Sequence, residues 1–132
     1  MKEEKAKVMK DERAGKNEKV DLRQRTKDFA LRVIRMFVSL PKNAVADILG
    51  KQVLRSGTAV GANYREAFRG RSKAEFMSKC GDSLRELEES AYWLELLADA
   101  GIVASDGLSP LLQECDELIA IFVAITKHTK QK

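Results

Sequence analysis

The chain of 132 residues is long enough for one domain with an ordinary hydrophobic core. Two prolines and 6% aromatic residues favour helices over sheets, and no apolar run is long enough to span a bilayer. The formal net charge is +4, but residues 21–79 carry +8 and residues 80–132 carry −6. This asymmetry indicates an anionic partner for the basic part, or self-assembly in which the basic part of one copy contacts the acidic part of another. The simpler alternative is that the charged side chains of both parts face water.

The sequence contains few side chains of the types that form catalytic or metal-binding sites. Cys80 and Cys115 lie on apolar helical faces, and the one histidine is His128. This inventory predicts neither a zinc site nor a disulfide framework, and two core thiols are typical of a reducing, cytoplasmic setting. Without a Glu-x-x-His pair, a phosphate-binding glycine loop or a Cys–His pair, we expect no metal, no cofactor and no catalytic residue.

The N-terminal part of the chain differs from the rest. Residues 1–20 mix both charge signs without a hydrophobic period, which is typical of a flexible charged N-terminal tail. From Asp21 onward apolar residues recur at helical spacing. Residues 21–132 are therefore predicted to form one bundle domain.

The first helix is predicted to start at Asp21 and to end before Pro41, because a proline pushes its predecessor out of the helical region. Arginines and lysines fill the sides that its apolar stripe leaves open. The stripe consists of Phe29, Val33, Phe37 and Leu40, widened by Ile34, Met36 and Val38.

The second helix is predicted to begin after the cap residue Asn43 and to run to about Phe68. Gly57 and Gly61 share one face of it, although each glycine costs a helix about 1 kcal/mol. A close helix–helix crossing that admits no side chain explains both. The alternative is a break into two shorter helices near Ser56, which the continuous apolar spacing disfavours.

Ser72 and Glu75 spell a capping box that begins the third helix, and Gly101 is placed to terminate it. The fourth helix is predicted to start between Ser105 and Pro110, with the proline in its first turn. The apolar seams are Phe76, Cys80, Leu84, Leu87, Ala91, Leu94 and Ala98, then Leu111, Cys115, Leu118, Phe122 and Ile125. Four amphipathic helices joined by short loops predict an all-α, up-down-up-down four-helix bundle.

A set of polar residues interrupts the apolar pattern of the second and third helices. Its members are Ser56, Asn63, Glu66, Glu89 and Tyr92. One interpretation is a structural hydrogen-bond network between the two helices that fixes their register. The other is a surface patch that contacts nucleic acid or a neighbouring subunit.

Several separated motifs carry a family resemblance. They are SGTAVGANYREA from Ser56 to Ala67, Phe76, ESAYWLEL from Glu89 to Leu96, TKDF from Thr26 to Phe29, and Leu40 with Pro41. Over about residues 22–130 the sequence resembles the bacterial four-helix-bundle proteins encoded in intervening sequences of 23S ribosomal RNA genes. Ala59 and Val60 replace the serine and isoleucine commoner in that family, a departure that concerns local packing.

The resemblance implies a homopentameric ring of up-down bundles and brings no catalytic residues. It also implies a distant similarity to the accessory variability determinant of diversity-generating retroelements, a basic pentamer that works with a reverse transcriptase and its RNA.

The predicted function follows from a run of basic residues in and after the first two helices. The run comprises Arg23, Arg25, Lys27, Arg32, Arg35, Lys51, Arg55, Arg65, Arg69, Arg71 and Lys73. It indicates a non-enzymatic oligomer that binds structured RNA or DNA through phosphates rather than bases, since few aromatics are available for stacking. The alternative is a structural or adaptor subunit for a protein partner such as a reverse transcriptase. No membrane partner is expected.

Overall fold

A computed structural model describes the backbone of residues 9–15, 17–19 and 21–130, and the side chains of residues 21–127. Two short strands precede four helices. The elements are β1 (Met9–Gly15), β2 (Asn17–Lys19), α1 (Leu22–Val38), α2 (Ala44–Ala67), α3 (Lys73–Asp99) and α4 (Ser105–Lys130). β1 and β2 pair with each other in an irregular antiparallel register, and neither contacts a helix within the described residues. The flexibility predicted for residues 1–20 stays a prediction, since residues 1–8, 16 and 20 lie outside the described part.

The four helices form the predicted bundle, in which each helix packs against the next in sequence. Gly57 of α2 meets Val33 of α1, and Gly61 meets Thr26, so rising numbers on one helix face falling numbers on the other. The same reversal relates α2 to α3: Ser56 contacts Ser90, and Glu66 contacts Lys79. In α4, Cys115 contacts Leu87 of α3, whereas the later residue Phe122 joins the ring cluster that contains Phe76 near the start of α3. Successive helices are therefore antiparallel, which confirms an up-down arrangement.

The helix ends follow the local signals of the sequence. The side chains of Asp21 and Asn43 cap α1 and α2, accepting hydrogen bonds from the amides of Gln24 (3.2 Å) and Ala46 (2.9 Å). Gly101 ends α3 with a φ of 74°, a left-handed conformation that glycine adopts without a steric penalty. These three predicted ends are confirmed.

Two further helix starts are confirmed, with Ser72 as the cap of α3 and Ser105 as the first residue of α4, but one predicted detail of each is wrong. Ser72 caps α3 by accepting from the amide of Glu75 (3.1 Å), but the Glu75 carboxylate accepts from the Arg71 amide instead of closing a reciprocal capping box. In α4 the helix already starts at Ser105, so Pro110 lies inside the helix rather than in its first turn. A proline there removes one helical hydrogen bond, because it has no amide hydrogen.

The glycines of α2 bring this helix close to α1. α2 continues unbroken through Gly57 and Gly61, which confirms the single-helix interpretation. A Cβ atom added at Gly57 would lie 2.9 Å from Cγ2 of Val33, and one at Gly61 would lie 3.0 Å from the Thr26 hydroxyl oxygen. The spacing of the two helices is therefore set by the absence of side chains at these positions.

The buried face of α3 differs from the predicted seam. Ser83 and Ser90 are fully buried, whereas the predicted seam residues Leu84, Ala91 and Ala98 are half-buried. The buried face is rotated by one residue from the predicted seam. The seam was drawn through apolar residues only, so it excluded the two serines. Such buried hydroxyls need hydrogen-bond partners, and both have them.

The stripe of α1 is narrower than predicted. Ile34 and Val38, expected to widen it, are 39% and 67% exposed. They lie outside the core because α1 packs mainly against α2 and much less against α4.

The buried pair of Ser56 and Ser90 joins α2 to α3 through hydroxyl oxygens 2.7 Å apart. Ser90→Ala is expected to destabilise the protein by about 1–3 kcal/mol, because the Ser56 hydroxyl loses its close partner in the core. The double variant Ser56→Ala with Ser90→Ala is expected to cost less than the sum of the single variants, by about 1 kcal/mol. Urea unfolding of the four proteins measures this coupling, and strict additivity would contradict it.

Candidate functional site

Three of the eleven predicted nucleic-acid-binding residues are engaged by carboxylates. Arg25 donates two hydrogen bonds of 2.8 Å to Glu114 and one of 2.7 Å to Glu117. The hydrogen bond to Glu114 is the main reason that the pKa of Arg25 is raised above its ordinary value. Lys51 lies 3.1 Å from Asp47, and Arg55 lies 2.8 Å from Glu89. These three cations balance acidic residues of the chain itself, and Arg25 ties α1 to α4.

Arg32 and Arg35 lie in the C-terminal half of α1. Arg32 is half-buried and Arg35 is exposed, and neither forms an ion pair with any residue that the structure describes. They are set apart from the remaining six residues of the predicted run, which lie toward the opposite end of the bundle.

The remaining six predicted residues gather at one end of the bundle, where α1 begins, α2 ends and α3 begins. We call this surface the basic end. It consists of Arg23, Lys27, Arg65, Arg69, Arg71 and Lys73, all of them exposed. The contact of Gly61 with Thr26 sets the α1–α2 register that brings Arg23 level with the last turn of α2. Within the described residues, the side chains of the five arginines and lysines other than Lys73 form no ion pair.

The acidic side chains near the basic end already form hydrogen bonds or ion pairs with other residues of the chain. Glu66 pairs with Lys79 at 2.8 Å, and Glu75 accepts from the Arg71 amide. Asp21 caps α1, and Asp28 accepts from the side chain of Gln24. These carboxylates lower the local positive potential without pairing with the arginine side chains of the basic end, so several cations remain available to an anionic ligand.

Four aromatic side chains form a cluster of ring contacts at the basic end. Tyr64 lies edge-to-face with Phe68 and Phe122, with ring centroids 5.0 and 5.6 Å apart. Phe68 also contacts Phe76 at 5.4 Å. Burial raises the pKa of Tyr64 to about 12, and the nearby charge of Arg23 acts in the opposite direction.

The five polar residues predicted to form a network do not form one. Ser56 pairs with Ser90, and Glu66 pairs with Lys79. Glu89 accepts from Arg55 and from the indole nitrogen of Trp93 at 3.0 Å. The structure records no hydrogen bond for the side chain of Asn63 among the described residues, and Tyr92 is 55% exposed. Only Ser56 therefore holds the buried position that the structural interpretation required.

Both cysteines are buried free thiols in the core. Burial raises the pKa of Cys80 to about 11 and that of Cys115 to about 12, and the Cys115 thiol donates to the Leu87 carbonyl oxygen at 3.3 Å. Among the described residues no group of histidine, cysteine or carboxylate side chains is arranged to hold a metal ion. Within the same part of the chain, none of the helices combines the length and apolarity needed to cross a membrane.

The raised pKa of Cys115 predicts a loss of stability at alkaline pH. The thiol has an ordinary pKa of 9.0 and a folded pKa of about 12, so above pH 9 it ionises in the unfolded chain but not in the folded one. Its contribution to the free energy of unfolding is therefore complete below pH 9 and declines as the pH rises toward 12. Between about pH 8 and pH 10 this should remove roughly 1 kcal/mol from the free energy of unfolding. Urea unfolding at both pH values tests it. Cys115→Ala should be less stable at both but lack this part of the pH dependence, and an unchanged dependence would contradict the prediction.

Sequence reasoning missed Phe68 as a surface residue. The sequence pattern places it at the end of α2 and predicts few aromatics for stacking, yet it is 54% exposed. Its flanking residues Arg69 and Gly70 were a usable signal, since a helix that ends in a polar turn leaves its last residue partly in solvent.

Comparison with known proteins agrees with the resemblance drawn from the motifs. A family model described as 23S rRNA-intervening sequence protein matches residues 18–124. The chain is also similar to the crystal structure of a protein with unknown function from the S23 ribosomal protein family of Bacteroides thetaiotaomicron, at 32% sequence identity and a TM-score of 0.73. That alignment covers 80% of this chain and 97% of the other. No functionally curated protein matches the chain.

Proposed function

The chain belongs to the family of 23S rRNA-intervening sequence proteins, and from that premise we propose that it is a non-enzymatic protein that binds structured RNA or DNA. The observation that carries the proposal is the basic end, where Arg23, Lys27, Arg65, Arg69 and Arg71 are exposed and form no ion pair within the described residues. Cations that no carboxylate engages can meet phosphates without first breaking an internal contact.

The chemistry of the basic end suits a phosphate backbone. Arginine presents several donors in a rigid fork that matches phosphate oxygens, and four of the five unpaired cations are arginines. Each phosphate that is neutralised releases counterions, so affinity grows with the number of contacts and falls with salt. Two cations of α1 and three in and after the last turn of α2 provide this density on one surface.

Binding to a labelled RNA hairpin at increasing salt concentrations tests the proposal. We expect the logarithm of the association constant to fall linearly with the logarithm of the salt concentration, with a slope of about −3 to −5 if most of the unpaired cations contact phosphates. A slope near zero, or no binding at low salt, would overturn the proposal.

Copies of the protein are proposed to assemble, in the cytoplasm, into the homopentameric ring that the family resemblance implies. Charge supports self-association, since residues 21–79 carry +8 and residues 80–132 carry −6, which suits a head-to-tail interface that closes a ring. The mass in solution, measured by light scattering after nuclease treatment, should be that of a pentamer of 14.8 kDa chains. A monomeric mass would contradict the ring.

A second candidate function is an adaptor subunit for a protein partner such as a reverse transcriptase. The observation that favours it is a group of exposed apolar residues at the end of the bundle opposite the basic end. Val38, Val45 and Ile48 are 67%, 57% and 62% exposed, beside a groove of about 500 Å³ at the α1–α2 turn. An exposed apolar patch is a common feature of surfaces that contact another protein. Ile48→Lys should weaken capture of such a partner and leave RNA binding unchanged.

A further inference from the structure

Phe68 places an aromatic ring partly in solvent at the basic end. It caps the C-terminus of α2, and 54% of its surface is exposed. Tyr64 and Phe76 contact the ring at interplanar angles of 88° and 68°. Contacts with rings of two helices hold Phe68 in position, so it presents a fixed aromatic surface rather than a freely rotating side chain.

Three arginines lie close to Phe68 along the chain. Arg65 precedes Phe68 by one helical turn, and the Phe68 amide donates to the Arg65 carbonyl oxygen at 3.3 Å. Arg69 and Arg71 follow in the α2–α3 turn, and all three arginines are exposed and unpaired within the described residues. Arg69 also lines a groove beside the turn together with Glu66, Glu75 and Lys79, and both of these carboxylates are engaged, Glu66 by Lys79 and Glu75 by the Arg71 amide.

We propose that Phe68 is a stacking platform for one unpaired nucleotide base, with the neighbouring phosphates held by Arg65, Arg69 and Arg71. An exposed aromatic ring flanked by arginines is the arrangement by which proteins bind unpaired bases, since every base has a face that stacks and a phosphate beside it. The inference rests on the proposed function and deepens it, because it selects nucleic acids with unpaired bases, such as loops and single strands, over continuous duplex.

The molecule contains a matched control for the ring. Tyr92 on α3 is also about half exposed (55%) and also lies edge-to-face with a neighbour, Trp93. Its surroundings are acidic, with Glu88 and Glu95 exposed on the same helix. An aromatic ring without nearby free cations is not expected to bind a nucleotide.

The test compares two labelled probes, a short oligouridine and a blunt-ended RNA duplex carrying the same number of phosphates. Phe68→Leu removes the stacking ring and should weaken oligouridine binding about tenfold, while duplex binding changes by no more than about twofold. Tyr92→Leu should change neither affinity. A similar loss for both probes, or no loss for either, would overturn the platform.

A second variant guards against misfolding of the first. Phe68→Trp keeps an aromatic ring and should retain wild-type affinity, and its emission should be quenched when oligouridine binds, with the wild-type Trp93 signal as baseline. Absence of quenching at saturation would overturn the inference. If the wild-type protein binds the duplex but not oligouridine, only this inference fails. If it binds neither probe, the proposed function fails as well.

Discussion

Replacing Arg65 and Arg69 together by glutamate is expected to lower the affinity for an RNA hairpin by about a hundredfold at roughly 0.1 M salt. Both guanidinium groups are exposed and have no ion-pair partner among the described residues. The substitutions should therefore weaken ligand binding without lowering the stability of the fold. The slope of affinity against salt should become shallower by about 2, because each lost phosphate contact removes roughly 0.9 from it. Fluorescence anisotropy over a salt series measures both quantities.

A charge-matched control separates this surface from the net charge of the protein. Lys51→Glu with Arg55→Glu changes the charge by the same amount but acts on cations that already contact Asp47 and Glu89. Its affinity should fall much less than that of the first double variant, and its salt slope should stay near that of the wild type. Equal losses in both double variants would mean that binding depends on overall charge and not on the basic end.

Gly57→Ala is expected to destabilise the protein by about 1–3 kcal/mol, although alanine favours helices over glycine by about 1 kcal/mol. The added Cβ would lie 2.9, 3.1 and 3.3 Å from three carbon atoms of the Val33 side chain. Valine in a helix has one strongly preferred rotamer, so Val33 cannot turn away and the two helices must separate. Thermal unfolding should show a decrease of several degrees in Tm.

Gly81→Ala is the matched control in the same protein. Gly81 lies within α3, and a Cβ atom there would meet nothing within 4 Å. The variant should be more stable than the wild type by about 0.5–1 kcal/mol, since only the helix propensity changes. If Gly57→Ala were as stable as Gly81→Ala, the close approach of α1 and α2 would not depend on the missing side chain.

The candidate site was only partly predictable from sequence. The basic run of the sequence contains all six members of the basic end, but it also contains Arg25, Lys51 and Arg55, which are paired, and Arg32 and Arg35, which lie elsewhere. The ion pair of Lys51 with Asp47 is not among the sequence predictions, although Asp47 stands four residues from Lys51 on the same helix. Glu89, which pairs with Arg55, is expected from sequence only as a member of a hydrogen-bond network between α2 and α3. Arg25 and Glu114 are separated by 89 residues, and no local rule relates them.

Local chemistry by itself determined the helices, most of their ends and the close crossing at Gly57 and Gly61. These features depend on backbone preferences and on residues within one or two helical turns of each other. Both can be read directly from the sequence. The tertiary structure alone decided which cations are neutralised, that Ser83 and Ser90 belong to the core, and that Phe68 remains at the surface among arginines. Those outcomes depend on what each helix meets across the bundle, because burial and electrostatic interactions act through space and not along the chain.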